Sequence, residues 1–363
     1  MRQFDVHFFD RSLTYKHRDS VYDPIIDDDY ISAVANNIDI SSTSAVKAGY
    51  FVHITNDDIN FFGLVTDVSP GEAKTIVTYK PFITLFDEEF LFYCYDQGTG
   101  SASHPDLETA IYNYIRRMYV TTSDTAKRLN LEVVNSVSAA DRTKNWSFYI
   151  LPDSDTSNYN VANLYSDILV NALKKYGVAV RVEPVFSQNK IVLTIEKRLT
   201  LFNIDADLDN VVVKTLKYND RPTGVNKLIV YNSSDYTQSP VIFYVHPDRS
   251  WDLDDARRIT PVVTKISCVS PNDQTSFAEA ALDSAYSTLS GAEWDNLIEL
   301  ETVANDPLVH PMTLRPGQVV CVRYKTGSYT SILTGKKIEG DLVTLLFGSE
   351  RIQYSKRTRR IGG

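Results

Sequence analysis

The sequence predicts a mostly β, α+β fold: two related small β-barrels with α+β domains inserted between them. Three observations predict it. The 363 residues include 22 Tyr and 16 Phe, and short alternating runs recur along the chain; aromatic and β-branched residues suit strands. Only three stretches have helical spacing. A β-meander near the start of the chain also recurs near its end.

The alternating runs are Tyr50–Ile54, Thr75–Tyr79, Val178–Val182, Ile191–Ile195, Lys227–Tyr231, Val241–Val245, Asn296–Thr302, Val319–Val322 and Leu342–Leu346. Polar turns separate them, the signature of strands and hairpins. The first helix is expected over about Pro105–Val120, with Leu107, Ile111, Tyr114, Ile115 and Met118 on one face. Ser103 or His104 would cap it, and Pro105 suits a first turn. The second is expected over about Val161–Tyr176, with Leu164, Ile168, Leu169, Ala172 and Leu173 inward and Gly177 as its stop. The third opens on Ser276-Phe-Ala-Glu279, a capping-box spacing, and runs through Ala281, Ala285 and Leu289 to Gly291.

These elements divide the chain. Residues 1–97 plus 199–222 are expected to form a first β-barrel. Residues 98–198 read as an inserted α+β domain with a hairpin at Ser187-Gln-Asn189. Residues 223–303 read as a second α+β domain, and 304–350 as a second β-barrel that borrows strands from 223–303. Residues 351–363 form a basic C-terminal tail.

The repeat rests on an offset of 268 residues. It lays Ala48-Gly-Tyr-Phe-Val-His-Ile54 over Pro316-Gly-Gln-Val-Val-Cys-Val322, and Asn60–Thr66 over Ser328–Thr334. A one-residue gap then aligns Gly71 with Gly340, followed by Thr75–Tyr79 with Asp341–Leu345. Likeness between any two β-meanders is the competing explanation. The functional reading is one small barrel present twice, which lets a ring be built from half as many chains.

Charge narrows the function. The net charge is -9, and the five basic residues of Arg351–Gly363, with no acidic one beside them, leave -14 on the rest. So acidic a body is ill-suited to gripping duplex DNA, where phosphate neutralisation dominates affinity. It suits a conduit that DNA passes without sticking. No run approaches the roughly 20 apolar residues of a membrane span. Asp5 and Asp10 stand where a signal peptide needs apolar residues, so a soluble, non-exported protein is expected. Cys94, Cys268 and Cys321 are odd in number and far apart, which suggests buried thiols in a reducing compartment and no zinc site.

Candidate chemistry is sparse. Asp205-Ala-Asp-Leu-Asp209 has the alternating carboxylates of a calcium loop but lacks its glycine and distal glutamate. On a strand those carboxylates would share one solvated face. Asp27–Asp29 and Asp252–Asp255 read as acidic loops. His7, His17, His53, His104, His246 and His310 show no metal-binding spacing. His53 reads as structural, and His246-Pro and His310-Pro as turns. Ser41–Ser44, Ser233 and Ser234 read as turn residues. No catalytic, cofactor-binding or metal residue is assigned, and no enzyme is expected.

Several stretches resemble the tail-hub and tail-associated baseplate proteins of long-tailed bacteriophages. They are Gly317–Tyr324, Tyr329–Gly335, Leu346-Phe-Gly-Ser-Glu-Arg351, Lys217-Tyr-Asn-Asp-Arg221, Asn226–Tyr231 and Tyr50–Asp67. The resemblance runs through the whole chain in order, although each motif is weak by itself. It implies a trimeric baseplate hub in which six barrels form a pseudo-sixfold ring at the distal end of a phage or phage-like tail. Such a hub is made in the bacterial cytoplasm and joins the distal tail protein ring to a spike, fibre or receptor-binding protein. It gates passage of DNA and the tape-measure protein. The alternative is a peptidoglycan hydrolase or a carbohydrate-binding adhesin, since aromatic sheets can stack on sugars.

Overall fold

The structure is a computed structural model. It describes residues 2–32, 34–91, 106–144, 146, 161–197, 202–208, 210–218, 225–247, 250–260, 262–271, 276–289 and 296–348. The chain is mostly β with few helices, as expected. Calls on His104, Cys94, Asp209 and the basic tail lie outside the described residues.

The first sheet is built from β1 (Gln3–Phe9), β2 (Tyr15–Tyr22), β4 (Asn36–Ser41), β5 (Phe51–Thr55), β6 (Asn60–Pro70) and β7 (Lys74–Pro81), in the order β2-β1-β5-β6-β7-β4. Period-two burial along β4 turns Ile38 and Ile40 inward and leaves Asn37 and Asp39 exposed. β3 (Ile25–Asp29) leaves this sheet and pairs elsewhere.

The second sheet contains β13 (Phe202–Asp205), β14 (Val212–Lys217), β19 (Leu297–Val303), β20 (Val319–Tyr324), β21 (Gly327–Glu339) and β22 (Leu342–Phe347), in the order β13-β20-β21-β22-β19-β14, with β3 paired to β21. Two placements differ from the sequence reading. Residues 199–222 were expected in the first barrel, yet their strands β13 and β14 pair with β20 and β19. The acidic run Asp27–Asp29 is not a loop but the end of β3, seated against β21. Strand pairing is non-local and leaves little trace in a strand's own sequence, which is why composition misplaced both.

Between the sheets stands an α+β unit. Its sheet, β11-β12-β9, joins β9 (Leu131–Asn135), β11 (Val178–Val185) and β12 (Lys190–Lys197). β8 (Glu89–Leu91) and β10 (Val161–Asn163) form a small pair beside it. The first helix, Leu107–Ile115, is capped by Asp106, whose carboxylate accepts from the Thr109 N–H. That corrects the expected Ser103 or His104 cap. The second helix starts at Leu164, because Val161–Asn163 is strand; Asn163 caps it by accepting from the Ser166 N–H. Its segments Leu164–Leu169 and Ala172–Tyr176 have π geometry, and Gly177 ends it in the left-handed region. Leu107, Ile111, Leu164, Ile168 and Leu173 are fully buried, so the expected helix phases hold.

A four-stranded sheet, β17-β16-β15-β18, contains β15 (Lys227–Asn232), β16 (Val241–Val245), β17 (Trp251–Asp252) and β18 (Thr264–Val269). The helix Phe277–Leu289 packs on it through Ala281, Ala285 and Leu289. Its start is the expected capping box: the Glu279 carboxylate accepts from the Ser276 N–H, and Ser276 Oγ accepts from the Glu279 N–H. The two barrel-like sheets share one continuous core that includes Phe4, Phe8, Ile26, Tyr79, Leu300 and Phe347.

Candidate assembly site: the paired half-barrels and their seam

The two meanders match bond for bond. Gly49 and Gly317 both adopt left-handed φ, +84° and +90°, which favours glycine. The Gly49 N–H donates to the Val65 carbonyl and the Val65 N–H to that of Tyr50; Gly317, Leu333 and Gln318 make the same pair of bonds. Both long strands bulge at a threonine, Thr66 and Thr334, between Val65/Asp67 and Leu333/Gly335. Each threonine hydroxyl donates to an equivalent carbonyl, Thr78 and Leu346.

The match also corrects the alignment of the third strand. Val65 pairs with Tyr79 and Pro70 with Thr75; Leu333 pairs with Phe347 and Ile338 with Val343. Thr75–Tyr79 therefore corresponds to Val343–Phe347 at the unbroken offset, not to Asp341–Leu345. The turns differ in shape but not in length, so a shared glycine misled the gap. The next strand repeats as well: Ile38 pairs with Val77 as Leu300 pairs with Leu345.

A seam joins the half-barrels. β3 runs antiparallel to the far end of β21, with Asp28 opposite Lys336 and Asp27 opposite Lys337, and opposite charges across strands favour this register. Asp29 is fully buried; its carboxylate accepts from the Ile31 N–H at 2.9 Å and from Ser32 Oγ at 2.6 Å. Tyr30 continues the seam, its N–H donating to the Thr334 carbonyl. Its hydroxyl accepts from the Val180 N–H of the α+β unit. Burial lowers the Lys336 amine to about 8, against the pull of Asp28; its Nζ donates to the Met312 carbonyl at 3.1 Å. Asp28 lines a cavity, where the chain crowded around it and the neighbouring Asp29 carboxylate push its carboxyl up.

That cavity, about 200 Å³, lies where the first sheet, the seam and the α+β unit meet. Phe62 and Phe82 stack on one side, centroids 5.3 Å apart. On the other, Glu196 accepts from Arg181 Nε at 2.8 Å and pairs with Arg315 at 3.4 Å. Arg315 leads into the Gly317 turn, so this network ties the α+β unit to the second half-barrel.

The sequence singled out Asp27–Asp29 as acidic but missed this role. The available signal was complementarity: Lys336-Lys337 is the matching basic pair. The other candidates sit apart from the seam. Asp205 ends β13, and Asp207 lies in the following turn, where both its oxygens accept from the Lys325 N–H. The carboxylates therefore cap a turn rather than share a strand face. His53 Nε2 meets Asn60 Oδ1 at 2.8 Å, and burial lowers its pKa. His246 is fully buried, with Nε2 2.8 Å from Asp252 Oδ1. Ser233 Oγ donates to the Val269 carbonyl, and Ser42 Oγ to that of Gly71, as turn residues do. Cys268 is exposed and Cys321 half-buried, so neither is the buried thiol expected. Among the described residues no group of three or more His, Cys, Asp or Glu could hold a metal ion. None of the described helices is long and apolar enough to cross a membrane.

The chain is similar to solved phage baseplate and tail proteins. One is from the phage p2 virion baseplate in its activated conformation, at 14% identity and TM-score 0.49, covering 95% of this chain and 98% of that one. Another is the 43 kDa tail protein of prophage MuSo2 from Shewanella oneidensis, at 11% identity and TM-score 0.49, covering 97% and 99%. A third is the prophage tail protein gp18 from Listeria monocytogenes EGD-e, at 10% identity and TM-score 0.41, covering 94% of each. No protein-family model and no curated protein matches the chain.

Proposed function

We propose that this chain is a non-enzymatic structural hub at the distal end of a phage or phage-like tail. Three copies form a pseudo-sixfold ring that joins the tail tube and distal tail protein to the tip. The observation that carries this reading is the duplicated half-barrel. Two units with one hydrogen-bond register, held side by side in one chain, supply six equivalent units from three chains. The sequence resemblance to tail hubs supports the same reading.

The mechanism is mechanical. The ring matches the symmetry of the tube, holds the tip, and parts to let DNA and the tape-measure protein through. The acidic body suits that passage, because carboxylates repel phosphate within about a Debye length, roughly 8 Å. The inner wall is therefore neutral to acidic.

Light scattering combined with class-averaged images of the full chain tests the reading. A trimer of about three times 41.0 kDa with six lobes around a channel is expected. A monomer at tens of micromolar, or a ring lined with basic residues, overturns it.

A further inference from the structure

The strand that seals the within-chain seam has no counterpart at the opposite junction of a ring. Under the 268-residue equivalence, the edge of β21 at residues 335–338 corresponds to the edge of β6 at 67–70. The first is covered by β3. The second pairs with β7 on one side only, and among the described residues no strand lies on its other side. The Thr334 carbonyl receives the Tyr30 N–H. In keeping with this, Thr334 is buried and Thr66 exposed.

Placing barrels around a ring by one repeated rotation brings the second half-barrel of a neighbouring copy to this β6 edge. Both sides of that contact are altered. On the accepting side, β3 comes so close that a Cβ on Gly335 would lie 2.7 Å from Asp29 Cα and 3.0 Å from the Asp28 carbonyl oxygen. The position equivalent to Gly335 is Asp67, whose side chain fills the space such a strand needs. Pro70, further along, offers no N–H. On the donating side, β4 and β19 are equivalent at an offset of 262, since Asn36 pairs with Tyr79 as Ile298 pairs with Phe347. Continued back along the chain, that offset sets Ile25–Asp27 of β3 against residues 287–289, which are helix and not strand.

Resting on the ring reading above, we infer that the junctions of the ring alternate in kind. Within a chain, strand addition seals the two barrels. Between chains, a second copy packs against the β6 edge through side chains alone, and the ring parts there. Opening then separates whole chains and never splits a barrel pair. An edge carrying Asp67, Ser69 and Pro70 is one that natural sheets use to refuse an added strand.

Amide hydrogen exchange on the full chain, assembled and after dilution to dissociated chains, tests this. Because the Thr334 carbonyl points to Tyr30 and N–H groups alternate along a strand, the Lys336 N–H faces β3; at the equivalent place the Val68 N–H faces the bare side of β6, and that of Ser69 faces β7. The Lys336 amide is expected to exchange at least a hundredfold more slowly than the Val68 amide in both states. Protection of Val68 on assembly to the level of Lys336 overturns the inference and leaves the ring reading standing. Loss of protection at Lys336 on dissociation overturns it too, because the ring would then part within chains. If light scattering finds no assembly, the ring reading fails and this inference with it.

Discussion

The two half-barrels share hydrogen bonds, bulges and the Gly49/Gly317 turn, yet differ in what covers them. Gly317 faces the α+β unit, where a Cβ would lie 3.1 Å from Leu173 Cδ1, whereas Gly49 faces open space. The end of β21 is sealed by β3, and that of β6 is bare. Tyr79 and Phe347 are equivalent and fully buried, but only Tyr79 adds a bond, from its hydroxyl to the Ile25 carbonyl at 3.2 Å. The backbone of the repeat is thus set by turn and bulge chemistry, while partner choice is set by a few side chains at the rims. A duplicated unit can keep its fold and still acquire two different neighbours.

The comparison can be broken most forcefully at Phe347. Phe347→Ala is expected to cost about 3–5 kcal/mol in denaturant unfolding, because the site is closed on all sides. A cost under about 1 kcal/mol would mean that the second core is not packed as described. Gly335→Asp, which gives the second half-barrel the residue of the first, should cost about 3 kcal/mol through displacement of β3. The reciprocal Asp67→Gly should shift stability by less than about 1 kcal/mol. Equal effects in the two directions would refute the asymmetry.

Lys336 sharpens the contrast through pH. Its amine is held below its unfolded value, so the unfolded chain binds the extra proton between about pH 8 and 10.5. Stability should therefore rise with pH across that window, by up to about 3 kcal/mol. Lys336→Met should flatten this rise and stabilise the chain at neutral pH; an unchanged pH profile of urea midpoints would count against the buried amine. Tyr79→Phe should cost about 1 kcal/mol, the net worth of one hydrogen bond. The smallest effect is expected on the acid side, in the first sheet. His7 and His53 face each other across β1 and β5, and burial lowers both pKa values. Arg18 beside His7 adds to the lowering, Asp5 opposes it, and Asn60 bonds His53. Stability from this pair is full above the unfolded histidine value and falls as pH drops below it. His53→Gln should lessen that acid loss, read as the change in midpoint between pH 7 and pH 5.

Much of the architecture was legible because local chemistry determines it. Alternation located the strands, Ser276 and Glu279 marked a helix start, and Gly49 and Gly317 marked equivalent turns. What escaped was pairing between distant segments. Nothing within Val212–Lys217 shows that it sits beside β19, and Asp27–Asp29 reads as a loop until Lys336 and Lys337 lie opposite. The seam was legible in principle as charge complementarity, but only if its two halves, some 300 residues apart in the sequence, were already known to meet.

That separation has a consequence in time. Chains emerge at roughly 5–20 residues per second, so β3 leaves the ribosome about 15–60 seconds before the strand it must pair with. Throughout that interval it is a strand without its partner in a crowded cell, with Ile25 and Ile26 ready to pair wrongly. The run Asp27–Asp29 then acts as a guard: three adjacent carboxylates repel similar strands and discourage stacking. Only a segment bearing cations in the right register, such as Lys336-Lys337, makes pairing favourable. The charges that select the seam in the finished protein also keep its first half unpaired while the second is still being made.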